Sequence, residues 1–99
     1  MHDAPKSAHV ADAEILALKC LSWLVGNEEL LPFFLGSTGA SEGDLRDRTD
    51  DPVFLGAVLD FVLMDDNWVM AFCEAEGLKG EFVMRARQVL PGGERTNWT

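Results

Sequence analysis

Apolar positions recur along this chain at helical spacing, and no stretch rich in Val, Ile and Thr alternates as a strand would. From Asp12 to Val25, Leu16, Ala17, Cys20, Leu21, Leu24 and Val25 share one broad arc, with Lys19 and Ser22 turned away, and Gly26 stops the helix. Asn27 is placed to cap a second helix whose first turn holds Glu28 and Glu29. Pro32 falls near the end of that turn, and Gly36-Ser37-Thr38-Gly39 closes the helix. Ser41 with Asp44 approximates a capping box and predicts a short, polar, outer third helix through Asp47. Asp51-Pro52 opens the longest apolar helix, running to Met64, on which only Gly56 and Asp60 mark a polar stripe. A helix so apolar must be covered on nearly every side, by the rest of the domain or by a second copy.

Asp65 and Asp66 start a fifth helix with Trp68, Val69, Phe72 and Cys73 on one face, and Gly77-Leu78 reads as its Schellman stop. The sixth, from Gly80 to Leu90, is amphipathic: Phe82, Val83, Ala86, Val89 and Leu90 point inward, Glu81, Met84, Arg85 and Gln88 outward. Pro91-Gly92-Gly93 ends the fold. The expected architecture is all-α, a compact bundle of five or six helices in one domain over 10–91, between a flexible N-terminal segment at 1–9 and a flexible tail at 92–99. A shift of 38 residues lays Cys20 on Val58, Leu24 on Val62, Asn27 on Asp65, Phe34 on Phe72 and Gly39 on Gly77, the pattern of two pseudo-repeated helical hairpins.

With 99 residues, 47% of them apolar, the chain can bury about two thirds of its surface without staples. A net charge of −9 repels phosphate backbones and anionic head groups, so nucleic acid is a poor partner. No stretch approaches the length of a membrane span, and the first residues lack a signal peptide's apolar core, so the expected location is the cytoplasm. Cys20 and Cys73, far apart and without neighbouring His, read as two buried thiols in a reducing compartment.

Candidate chemistry is sparse. The two histidines, His2 and His9, precede the first firm helix and there is no tyrosine, which removes the usual acid-base and nucleophile-activating groups. Neither a zinc ligand set nor a glycine-rich phosphate loop occurs, so no metal and no cofactor is expected. Asp50-Asp51 and Asp65-Asp66 each sit at a helix start, where one Asp of the pair caps. The sharpest pattern is Cys73, Gly77 and Val83, which has the spacing of a helix-turn-helix with Lys79, Arg85 and Arg87 on its second arm. Residues 77–95 carry a net +2 and residues 1–76 a net −11, but Glu81 first among the would-be recognition positions opposes phosphate.

The run Leu18 to Leu35, the Thr38-Gly39 pair, the Asp51-Pro52 start, Leu59 to Leu63 and Ala71 to Leu78 together resemble a family of small uncharacterised alphaproteobacterial proteins, a domain of unknown function. The resemblance covers roughly residues 10–92. It implies a bacterial cytosolic protein and carries no activity and no functional residue with it. The expected function is therefore that of a non-enzymatic adaptor acting through protein contacts, with a helix-turn-helix regulator as the alternative. Trp23, Trp68, Met70, Met84 and Arg85 form the candidate partner surface, and the surplus of large apolar groups favours a homodimer.

Overall fold

Six helices arise where caps and apolar arcs coincide: α1 (Ala4–Val25), α2 (Leu30–Thr38), α3 (Glu42–Asp47), α4 (Pro52–Val62), α5 (Asp66–Glu76) and α6 (Gly80–Val89). The structure, a computed structural model, describes the backbone of residues 4–90 and the side chains of residues 10–90, and contains no strand among them. The tail expected at 92–99 lies outside the described residues. At the other end, α1 begins at Ala4 rather than at Asp12. Pro5 is tolerated in a first turn, and no breaker separates it from the apolar arc that starts further on.

The helix starts follow local chemistry. Asn27 Oδ1 accepts hydrogen bonds from the Glu29 and Leu30 amides, each at 3.0 Å, so the turn at 28–29 feeds α2 and leaves Pro32 in its first turn. Ser41 and Asp44 form the reciprocal capping box, with backbone-to-side-chain distances of 3.0 and 3.2 Å. Asp51 and Asp65 cap α4 and α5 through the Val53 and Asn67 amides, so one acid of each pair is spent on a helix start. The stops are equally local. Gly39 and Gly77 adopt φ of 76° and 69°, the left-handed conformation that glycine reaches without steric cost. At Gly77 the Leu78 amide donates to the Cys73 carbonyl at 2.9 Å, completing the Schellman stop.

Asp51 carries more than its cap. Arg48 Nε and Nη2 donate to its Oδ2 at 3.2 and 2.9 Å, while the Arg48 guanidinium stands 5.0 Å from the centre of the Phe54 ring. The Arg48 hydrogen bond, and after it the Val53 amide, hold the Asp51 carboxyl below the usual carboxylate range. A group whose proton affinity falls on folding stabilises the fold above its unfolded pKa, near 3.9, and loses that contribution as pH drops through its lowered folded value. Asp51→Ala is therefore expected to lower the urea midpoint at pH 7, and the gap to the wild type should close in acid; a gap independent of pH would place the stabilisation outside the carboxylate.

α1 and α4 pack against each other at the centre; α6 lies along α1 and touches α4, α2 sits on α1 and α4, and α5 joins α4 to α6. Ala17, Cys20 and Leu24 of α1 meet Val58, Leu59 and Val62 of α4 in a common core, all fully buried. A second nucleus is aromatic: the Phe61 ring stacks on Trp68 at 4.8 Å and takes Phe34 and Phe33 edge-on at 5.3 and 5.9 Å. These contacts bury seven of the eleven residues of α4 within a single chain. Gly56 is among the seven, so the expected polar stripe of Gly56 and Asp60 reduces to Asp60. The expectation of a homodimer thereby loses α4 as its ground.

The 38-residue shift maps structure as well as sequence. It carries the last residue of α2 onto that of α5, the left-handed glycine onto the left-handed glycine, and the residue before α3 onto the residue before α6. Phe34 and Phe72 are both fully buried, and Asn27 and Asp65 both cap. The halves part company at their third helices. α3 spans six residues and buries none, whereas α6 spans ten and buries Val83 and Ala86 against the core.

Candidate functional site

α6 leaves its outer face free while its inner face is anchored. Val83 and Leu90 are fully buried, and Arg87 crosses to α4, where its Nε and Nη2 donate to the two Asp60 carboxylate oxygens, the latter at 2.9 Å. The Arg87 side chain is 12% exposed against 53% for Asp60, so this clamp is half in the protein and half in water. Arg87 is thereby committed to the fold. Lys79, Glu81, Met84, Arg85 and Gln88 remain exposed, as the amphipathic pattern requires.

Two residues assigned inward sit differently. Phe82 and Val89 are 39% and 38% exposed, on the flank of α6 instead of in the core. With Leu16 of α1 they wall a surface groove of about 510 Å³ between α1 and α6. Its floor is made by Ala13 and Ala86, and Asp12, Arg85 and Gln88 supply its polar groups. Small side chains where the two helices approach, with larger ones at the edges, leave a concavity instead of a filled seam. The Arg85 guanidinium lies 6.0 Å from the centre of the Phe82 ring, one helical turn away. The groove is of the volume that binds small ligands or a few side chains of a partner.

The five residues of the candidate partner surface are placed on three helices. Trp23 is half-buried and tilted against Phe72 at 5.8 Å. Trp68 is half-buried between Phe61 and Phe33, the latter edge-on at 5.7 Å. Met70 and Met84 are 67% and 57% exposed, and Met70 lies about 200° around α5 from Trp68. Of the five, Arg85 alone lines the groove. The other groove residues were not singled out from the sequence, where the one available signal was that Leu16, Phe82 and Val89 stand at the edges of their apolar arcs.

No chemistry gathers in the interior. Among the described residues no polar or charged side chain is buried, and no group of three or more His, Cys, Asp or Glu stands where it could hold a metal ion. Cys20 and Cys73 are free and buried. Burial, with a smaller contribution from Cys73, pushes the Cys20 thiol up to about 12, and burial raises Cys73 as well, which makes both poor nucleophiles. No described helix is long and apolar enough to cross a membrane.

Compared with known proteins, residues 10–93 match the model of a family described as a protein of unknown function (DUF3572). No curated protein and no solved structure matches the chain.

Proposed function

The chain belongs to this family of proteins of unknown function, and on that premise we propose that it is a non-enzymatic interaction module, a small adaptor that docks a partner protein in the α1–α6 groove. The observation that carries the reading is the groove itself. Apolar walls from Leu16, Phe82 and Val89 offer side-chain pockets, and Arg85 beside them supplies a cation on a chain whose net charge is −9. The occupant that fits is an apolar segment of a partner carrying an acidic residue for Arg85, seated as helices and short peptides are seated in grooves. The absence of buried titratable groups other than the two thiols supports an interaction role over catalysis, since acid-base chemistry depends on desolvated, perturbed groups. Free buried thiols support a cytoplasmic setting.

A photo-crosslinking residue in place of Gln88, at the groove, is compared in native cells with one in place of exposed Glu28, outside it. A discrete adduct with one protein at position 88, missing at position 28 and abolished by Phe82→Glu with helicity intact, is expected. No adduct, or equal adducts from both positions, refutes the reading. The competing helix-turn-helix reading draws on the α5–Gly77–α6 corner and the exposed Lys79 and Arg85. It requires duplex binding at about 20 mM salt, where screening is weakest. The expected result is no binding; a salt-sensitive complex lost in Arg85→Ala would select the helix-turn-helix instead.

A further inference from the structure

We propose that the groove has an occupant within the chain: residues 94–99 fold back along α6 and seat Trp98 between α1 and α6, competing with the partner. This rests on the groove being the docking site. The helix ends one residue before Leu90, and Gln88 and Val89 already line the groove, so the residues that follow enter at its edge. Pro91 cannot extend the helix, and Gly92-Gly93 can adopt the left-handed conformations that reverse a chain. From Gly93 to Trp98 an extended chain reaches about 17 Å. Phe82 and Val89, which bracket the groove, lie about 10 Å apart along the α6 axis, so Trp98 reaches any part of it.

Charge selects the same register. Glu94 and Arg95 are the charged residues of the segment, and Arg85 and Asp12 are those of the groove, so a returning strand pairs each with its opposite. Trp98 is the one large apolar side chain of Glu94-Arg95-Thr96-Asn97-Trp98-Thr99, and its indole N–H has Gln88 as an acceptor. A second copy is a weaker occupant. Two chains of charge −9 repel, whereas a tethered segment faces the groove at an effective concentration on the order of millimolar.

The test is fluorine NMR of the full chain labelled with 5-fluorotryptophan, the three signals assigned by Trp→Phe substitution. The Trp98 signal is expected to be displaced from that of the free amino acid at every protein concentration. It should return to the free position in Val89→Asp while those of Trp23 and Trp68 stay in place. If Val89→Asp also moves those two, exposed Arg85→Glu decides: it should shift Trp98 toward the free position, and adding Glu94→Arg should reverse the change. A Trp98 signal at the free position in the wild type overturns the proposal, as does a displacement that fades on dilution, which would identify a second copy. The crosslink at position 88 reads partner docking independently, so either proposal can fail while the other stands.

Discussion

Phe61→Ala is expected to remove about 3–5 kcal/mol of folding stability, measured as the shift of the urea transition followed by helical circular dichroism. The Phe61 ring is 2% exposed and touches three other rings, Trp68 face to face and Phe33 and Phe34 edge-on. Its loss removes a large transfer term and opens a cavity at the meeting of α2, α4 and α5, which the fixed neighbours cannot close. Domains of this size are stable by only about 5–15 kcal/mol, so the variant should be near unfolding at 37 °C. Phe61→Leu, which keeps most of the volume, should cost about 1.5 kcal/mol or less. A small effect for the alanine variant would mean that the aromatic cluster is not part of the cooperative core.

The second large effect is chemical. Native Cys20 should react with an aromatic disulfide reagent at pH 8 at least about 10³-fold more slowly than in the unfolded chain, because a thiol near 12 is thiolate in about one molecule in 10⁴ there. That value follows from burial first and from the nearby Cys73 second. Fully enclosed between the central helices, the sulfur is shielded sterically as well. Both thiols should titrate promptly once urea is added. Fast reaction of both in the native protein would show α1 and α4 separating far more often than their packing implies.

Where the sequence was read correctly, the interactions are short-range. The Asn27, Ser41, Asp51 and Asp65 caps and the Gly39 and Gly77 stops span at most five residues each, so their partners stand next to them in the chain. The amphipathic split of α6 was legible for Glu81, Met84, Arg85 and Gln88, since their direction follows from helical geometry alone. The candidate surface was less so. Trp23 and Trp68 look like spare apolar groups in one dimension, yet each finds an aromatic neighbour, Phe72 or Phe61, from another helix.

By itself, then, the sequence determined the all-α class, the helix ends and the depth of the main core, because capping and 3.6-residue periodicity are properties of neighbouring residues. Tertiary structure alone decided which edges of those arcs stay wet. α4 is covered in one chain because Phe33, Phe34 and Trp68 close over it, and Gly56 is buried for the same reason. Asp60 meets Arg87 across 27 residues, a pairing that only the crossing of α4 and α6 creates. The groove exists because Ala13 and Ala86 face each other where α1 and α6 pack, leaving Leu16, Phe82 and Val89 along a cleft. Burial is set by the shape of whatever helix arrives opposite, and that shape is not encoded in the spacing of the residues it covers.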